Sequence, residues 1–466
     1  DGTRLAWAEA GDGPVIVKAA NWLTHLEYDW ESPVWRHWLQ FFAERSRFIR
    51  YDERGCGLSD WHGGALSLDL WTDDLAAVVD AAGVSGPVTL PHMLPFSASW
   101  AIQEPKYNAE WDDGKQQFNF MGFYRYDPED SERRHGDIRE LEWIKVGENY
   151  ELRVGVRKVF WGATEAQHLV DIVNQSDIVD DVSGDTKLGQ PMLNFAFINS
   201  FTTLDLYVMP YFRERTFPGA AGRPRFRFVV DNDRAVYEAR NEERHVDFAA
   251  RLASGDQGLD FGLTYFYGTS RQPRYVPTPL APGGCIAPIP LCVIAPHYDL
   301  IHQFGLDATY AAGAWLWKFE GISRYQLQAW YQSVDAGFEY TFSGVGDSAT
   351  DVGVLAEYLW DSRGESASEL GLGLPFIART TPPYAFQNDL FLGARVAFND
   401  TQSTQILAGI SMDLDGRGYT YTVKAERRIG ETMKLNFEWR GYNDTPDGDV
   451  IDAFQNEDSV RLYFSW

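Results

Sequence analysis

The closing stretch of the chain alternates strictly, with Val460, Leu462, Phe464 and Trp466 on one side of an extended backbone and Ser459, Arg461, Tyr463 and Ser465 on the other. The same two-residue period recurs upstream. Tyr150, Leu152, Val154 and Val156 alternate with Glu151, Arg153 and Arg157, and Val246, Phe248, Ala250 and Leu252 with His245, Asp247 and Arg251. Met433, Leu435, Phe437 and Trp439 alternate with Lys434, Asn436, Glu438 and Arg440. One face of each segment suits hydrocarbon and the other suits water, over a length that spans a bilayer as a tilted strand. Such segments fall near 117–126, 137–146, 150–159, 188–198, 203–212, 245–254, 258–268, 299–311, 313–324, 334–343, 350–361, 388–398, 402–412, 418–428, 432–442 and 457–466. They predict an all-β transmembrane antiparallel barrel of about 16 strands over 117–466, an even number with both ends on one side.

The connections give an independent argument. Those at 147–149, 199–202, 255–257, 311–312, 344–349, 399–401 and 430–431 are short. Those at 160–187, 213–244, 269–298, 362–387 and 443–456 are long and fall in the opposite phase. A barrel with tight periplasmic turns and extended outer loops has this parity, and a soluble β-protein has no reason for it. The last strand then pairs with the first, near Phe118–Tyr126, because an open edge cannot face lipid.

The first ninety residues have a different texture. Short apolar strands at Val15–Lys18 and Arg47–Tyr51 flank an amphipathic stretch, Pro33–Ala43, and a second helical pattern, Leu68–Ala82, leads to a strand at Pro87–Leu90. The turn Tyr51-Asp-Glu-Arg-Gly-Cys-Gly-Leu-Ser-Asp60 resembles that of the α/β-hydrolase family. The resemblance implies a parallel-sheet opening followed by a G-x-S-x-G nucleophile elbow. Here the following strand runs into Leu90-Pro-His-Met-Leu-Pro-Phe-Ser-Ala-Ser-Trp100, with no glycine beside Ser97 or Ser99. No acid or histidine downstream completes a triad. We therefore expect a truncated, non-catalytic hydrolase-like segment over 1–92, a junction over 93–116, and no enzyme. A folded segment ahead of a barrel, without a visible export signal, suggests a gene fusion, a truncated sequence or an assembly artefact.

Composition supports a membrane barrel. Aromatic residues reach 15%, with 17 Trp and 23 Tyr, as aromatic girdles at two interfaces require. A mean hydropathy of −0.33 excludes a helical membrane protein but not a barrel, whose strands hide apolar residues by alternation. The formal charge of −26 argues against a nucleic-acid partner. Cys285 and Cys292 share a Pro-rich loop and are candidates for a disulfide. No cofactor or metal motif is present.

Residues 140–466 also resemble a group of Gram-negative outer-membrane β-barrel proteins of unassigned function. The resemblance is carried by Val156-Arg-Lys-Val-Phe-Trp-Gly162, His168-Leu-Val-Asp-Ile-Val-Asn-Gln175, Lys187-Leu-Gly-Gln-Pro-Met192 and Pro210-Tyr-Phe-Arg-Glu-Arg-Thr-Phe-Pro218. It implies a barrel in the bacterial outer membrane and no substrate.

Within that barrel, Thr164–Asn174 has helical spacing, with Thr164 as N-cap. A helix in the 160–187 loop either enters the lumen and constricts it or packs as a lid on the rim. Asp177, Asp180, Asp181 and Asp185 match no EF-hand spacing and read as a solvated acidic loop. The candidate lumen residues are Arg153, Arg157, Arg251, Lys318, Glu320, Arg324, Arg395, Lys424, Glu426, Arg428, Lys434, Glu438 and Arg440, with Glu357 and Arg461 in the same phase. Such groups either select solutes or brace the wall as ion pairs, for example Lys424 and Glu426 against Glu438 and Arg440. Arg213, Arg215, Arg223, Arg225 and Arg227 cluster at one strand end, where they guide anions, bind lipopolysaccharide phosphates or stay solvated. Trp315, Trp317, Trp360, Trp439, Tyr265, Tyr267 and Tyr358 read as girdle residues. The expected function is a passive, partly constricted channel for small polar or anionic solutes. A filled scaffold carrying an enzyme or adhesin, and a soluble esterase, are the alternatives. The expected partners are outer-membrane lipids, lipopolysaccharide, the barrel assembly machinery and small solutes.

Overall fold

The computed structural model describes residues 2–13, 15–18, 25–32, 35–61, 68–84, 100–225, 229–279, 292–363, 386–415, 418–430, 433–443 and 457–465. The chain divides into two compact units, Asp1–Phe96 and Ser97–Trp466.

In the first unit, β1 (Trp7–Ala10), β2 (Val15–Lys18) and β3 (Arg47–Tyr51) form a small sheet, accompanied by α1 (Leu26–Glu31), α2 (Arg36–Ala43) and α3 (Leu68–Ala81). β3 is central, antiparallel to β1 and parallel to β2. The turn after β3 is tied inward. Asp52 accepts from the amides of Leu26 (3.1 Å) and Leu58 (2.9 Å), and Arg54 pairs with Asp74 on α3 in a buried contact. The expected strand at 87–90 and the serines at 97 and 99 lie outside the described residues. The hydrolase-like reading of this unit remains a resemblance at one turn.

The second unit carries β4 (Trp100–Trp111), β5 (Gln116–Tyr126), β6 (His135–Val146), β7 (Tyr150–Arg157), β8 (Gln190–Ile198) and β9 (Thr202–Met209). β10 (Val236–Tyr237), β11 (Asp247–Asp256), β12 (Leu259–Thr269), β13 (Arg274–Pro279), β14 (Cys292–Tyr298), β15 (Leu300–Ala312) and β16 (Trp315–Gln326) follow. The rest are β17 (Ala329–Phe342), β18 (Asp351–Asp361), β19 (Asn388–Ala397), β20 (Gln405–Asp413), β21 (Tyr419–Ile429), β22 (Met433–Asn443) and β23 (Ser459–Ser465). All but β10, β13 and β14, which form a separate sheet in the long loops, close into a transmembrane antiparallel barrel of 17 strands.

Closure differs from expectation by one strand. β4 occupies the predicted junction and stands between β5 and β23, so the last strand does not pair with Phe118–Tyr126. Alternation fails to reveal β4 because the register with β5 shifts between Gln103 and Lys106, across Pro105. A proline has no amide to donate and sits in a sheet at such an irregularity. With every other neighbouring pair antiparallel, β4 and β23 run in the same direction.

Turn parity holds across the closed sheet. The turns following β4, β6, β8, β11 and β15 lie at one end, and the loops 158–189, 210–246 and 270–299 lie at the other. The long-loop end also holds a tight turn, Leu327-Gln328, both at positive φ, which joins β16 to β17.

Side-chain facing follows the two-residue period. On β16, Lys318, Glu320, Ile322 and Arg324 are buried in the interior, whereas Trp315 and Trp317 are exposed outward. On β23, Val460 and Leu462 face out and Arg461 faces in. The outward aromatics form two groups. Trp315, Trp317, Phe338 and Tyr340 cluster near the short turns, with the Trp315 and Tyr340 rings 4.7 Å apart. Tyr267, Tyr325, Trp330 and Trp360 lie near the long loops. An apolar outer belt with aromatic rims is what a bilayer selects. Leu263, halfway along β12, belongs to that belt. Leu263→Arg is expected to destabilise the barrel by about 2–4 kcal/mol in reversible denaturant titrations in lipid vesicles, the cost of a cation at the bilayer midplane. An unchanged midpoint would reverse the assignment of faces.

Candidate functional site: a loop folded into the lumen

Residues 158–189, between β7 and β8, enter the barrel. Asn174 joins the legs of this loop: its Oδ1 accepts from the Val159 amide (2.9 Å), and its Nδ2 donates to the carbonyls of Arg157 (2.9 Å) and Leu188 (2.8 Å). Val159, Trp161, Val170, Ile172 and Val173 form the loop's apolar side. They pack on Met192, Tyr207, Met209, Ala249, Phe266, Ile301 and Ile322 of the wall. Gly305 makes this approach possible, because a Cβ there would lie 2.4 Å from Thr264 Oγ1 and 3.0 Å from Val170 Cγ1.

The predicted helix over 164–174 does not form. Its amides are taken instead by carboxylates of the wall. Glu320, wholly buried on β16, accepts from the amides of Ala163 (2.6 Å), Thr164 (3.1 Å) and Val170 (3.2 Å) and from the Thr164 hydroxyl (2.8 Å). Glu357 on β18 accepts from the amides of Glu165 (2.9 Å) and Ala166 (2.7 Å). Charge-assisted bonds of this kind replace the i−4 carbonyls that a helix would have supplied.

Of the acidic run, Asp177, Asp180 and Asp181 are buried rather than solvated, and Asp185 stays exposed to the lumen but paired. Asp177 bonds Arg139 (2.5 Å), His135 (3.1 Å) and the Thr216 hydroxyl (2.6 Å). Asp180 bonds Arg125 and Arg461, the latter at 2.9 Å, and Asp185 bonds Lys424 (3.1 Å) and Arg440 (3.4 Å). Desolvated acids such as Asp177 and Asp180 persist only when paired, and both have guanidinium partners.

Two cavities remain beside the loop. One, of 340 Å³, lies toward the long loops and is bounded by Arg215, Arg324, Tyr331 and Tyr442 among others. The second, of 500 Å³, lies toward the short turns, beside Gln405, Glu426, Lys434 and Asn436. Glu165, Asp185, Leu407 and Lys424 line both and form a collar between them.

The predicted lumen residues are distributed as follows. Arg153 pairs with Glu151, Arg157 with Glu142 (3.3 Å) and Arg251 with Asp307 (2.6 Å), all along the wall. Lys318 lies 3.5 Å from Glu339, and Arg395 bridges Glu339 (3.3 Å) and Glu165 (2.7 Å). Glu426 pairs with Lys434 (3.5 Å), and Glu438 with Arg440 (2.6 Å). Lys424 stands opposite Glu438 in register, yet it bonds Asp185 of the loop. Arg428 is exposed at the short-turn end of β21. At the other end Arg213 is held by Asp137 (2.7 Å) and Arg223 by Glu457 (3.5 Å), with Arg225 beside the same glutamate. Arg227, Cys285 and the Cys292 side chain lie outside the described residues, and with them the expected disulfide.

The sequence reading missed Arg125 and Arg139. The register between β5 and β6 shifts at Met121/Gly122, skipping Arg139. This local irregularity re-aims a side chain that simple alternation cannot follow.

A closed antiparallel barrel with an apolar outer belt, aromatic rims and a charged interior containing an inserted loop is an outer-membrane β-barrel protein. No family model matches the chain, and no curated protein does. Among solved structures the chain is similar to OpdQ of Pseudomonas aeruginosa, at 12% identity and a TM-score of 0.41 over 79% of this chain and 92% of that one. It is also similar to OccK7 (OpdD) of the same organism, at 11% identity and 0.42 over 79% and 92%. A third is Wzi of Escherichia coli, an outer-membrane protein involved in group 1 capsule assembly and described as a carbohydrate-binding β-barrel, at 8% identity and 0.43 over 86% and 88%. At these distances the assignment of class rests on the strand pairing of the chain itself.

The Asp177 anchor is open to test. Burial would raise the pKa of this carboxyl, but the hydrogen bond from His135 and the charge of Arg139 outweigh it and hold the group well below the ordinary carboxylate range. A depressed pKa contributes stability that is complete above the unfolded value and lost only as pH falls through the folded one. The loop should therefore stay anchored at pH 4. Asp177→Asn is expected to cost about 3–5 kcal/mol, as for breaking a buried ion pair. Heat-modifiability midpoints across pH 4–8 would show this loss, and a midpoint equal to that of the parent would refute the anchor.

Proposed function

We propose that this chain is a passive outer-membrane channel for small polar or anionic solutes, narrowed by the 158–189 loop. The observation that carries the reading is the pair of cavities meeting at the collar of Glu165, Asp185, Leu407 and Lys424. Together they run from the long-loop half of the lumen to the short-turn half. The loop's main apolar side packs on β8, β9, β11, β12, β15 and β16, while Ala166 reaches Leu355 and Phe391 and its acidic residues reach cations of β5, β6, β19 and β21–β23. Opposite, β19–β23 present charged and polar groups that suit water and hydrophilic solutes. No catalytic role is proposed for the N-terminal unit.

The buried apolar cluster inside the barrel favours a second reading, a filled scaffold. Planar-bilayer recordings separate the two. The folded full chain is expected to give small, discrete conductance steps. Glu320→Gln combined with Glu357→Gln should enlarge them severalfold by releasing the loop backbone from the wall. Absence of steps in both proteins would establish the scaffold in place of the channel.

A further inference from the structure

We propose that a 380 Å³ groove in the outer surface of the barrel wall, between β6 and the residues leading into β8, binds the lipid A portion of lipopolysaccharide, with Arg213 and Arg134 as partners of its phosphate. The groove lies on the bilayer side of the wall, so this inference goes beyond the channel reading and does not rest on it.

The groove exists because the chain leaves the wall early. β7 stops at Arg157, where the next residues turn into the lumen, and its pairing with β6 reaches no further than Leu141 opposite Val156. Residues 135–140 of β6 are therefore paired with β5 on one side and with no strand on the other. The far bank of the gap is built from Gly189, Pro191, Tyr211 and Arg213. Pro191 has no amide to offer a ladder. The banks come close at Gly189, where a Cβ would lie 2.3 Å from the Ile138 carbonyl oxygen. Toward the lumen the gap is spanned by Arg213, whose Nη1 donates to Asp137 Oδ1 (2.7 Å) and to the Gly189 carbonyl (2.7 Å).

Two chemistries meet at this groove. Its outward lining is apolar, with Ile138, Val156, Pro191 and Tyr211, and it suits part of an acyl chain. Its depth is that of the aromatic rim at the long-loop end, where Tyr124, Tyr126 and Tyr211 are exposed outward at the level of lipid headgroups. Two guanidinium groups stand there. Arg213 uses only Nη1, and its Nε and Nη2 have no partner among the described residues; its carboxylate, Asp137, is shared with Arg139 (2.9 Å). Arg134, two residues before Gly136, lies 4.9 Å over the outward ring of Tyr126 and donates to the Asp127 carbonyl (2.9 Å). It forms no ion pair among the described residues. Guanidinium forks match phosphate oxygens, and cations at headgroup depth attract anionic lipids. A phosphate joined to acyl chains satisfies both the cationic rim and the apolar recess. The long-loop end lies in the outer leaflet, which lipopolysaccharide supplies, whereas phospholipids of the inner leaflet meet the short-turn rim.

Native mass spectrometry of the full chain, folded in detergent, tests this with three probes: diphosphoryl lipid A, the same lipid with its phosphates removed, and dioleoylphosphatidylglycerol. One diphosphoryl lipid A should be retained, at least about tenfold tighter than either of the others. Arg213→Gln and Arg134→Gln should each weaken it by about fivefold. Ile138→Trp, which fills the recess without changing charge, should weaken the phosphorylated and dephosphorylated forms alike. Equal retention of the two forms of lipid A by the parent protein would overturn the proposal, and equal retention of phosphatidylglycerol would overturn the assignment to lipid A. Undiminished lipid A binding by a heat-modifiable variant carrying both arginine substitutions would overturn it as well. Should Arg213→Gln fail to fold, the exposed Arg134→Gln and the comparison of probes decide. Lipid A retained by a barrel that never conducts would refute the channel and leave the groove standing.

Discussion

The wholly buried carboxylate of Glu320 determines what the lumen contains. It gathers three backbone amides and one hydroxyl of a loop 150 to 157 positions away in sequence. A loop inside a barrel must satisfy its polar backbone without the ladder that the wall strands enjoy. Glu320 and Glu357 supply acceptors where no second strand exists. Once those amides are spent, a helix over the same residues is no longer available. The apolar residues between them are then free to face the wall of β8, β9, β11, β12, β15 and β16, where Val170 and Val173 are fully buried.

The loop is therefore held by two chemistries pulling in different directions. Carboxylates of β16 and β18 bind its backbone, and cations of β5, β6, β21, β22 and β23 bind its aspartates. Neither set is free to serve a solute without giving up the loop. An ion pair presents a passing molecule with a dipole, whose field falls off faster than that of a lone charge. Most of the charged lumen is consequently scaffolding.

Much of this architecture was legible in the chain. Period-two alternation located the barrel strands from β5 to β23, though not β10, β13 and β14 within the long loops, and loop parity gave the end on which the long connections lie. β4 was hidden by Pro105, which breaks the alternation at the point where the register with β5 shifts. The loop at 158–189 was legible as an insertion, but not its conformation. Helical spacing at 164–174 reflects an apolar side that packs, and only the wall shows that Glu320 competes for its amides. The pairing of Asp177 with Arg139 was equally invisible, since Arg139 sits at an irregularity between β5 and β6. Local sequence carries period and turn chemistry, whereas contacts across a lumen depend on which strands lie opposite one another.

That dependence explains why a list of inward charges overstates the groups available for recognition. Arg251 and Arg324 look alike in sequence, each at an inward position of an alternating strand. On closing the barrel, Arg251 meets Asp307 on a nearby strand in a bidentate pair, with bonds of 2.6 and 2.7 Å. Arg324 meets two glutamines. Glutamine oxygens orient a guanidinium but cannot neutralise it, so the charge is held in place and remains unspent. The difference lies entirely in strand register and in residue 272, outside the barrel strands. Strand register thus decides, among the described residues, which inward cations meet a carboxylate and which are held by neutral groups.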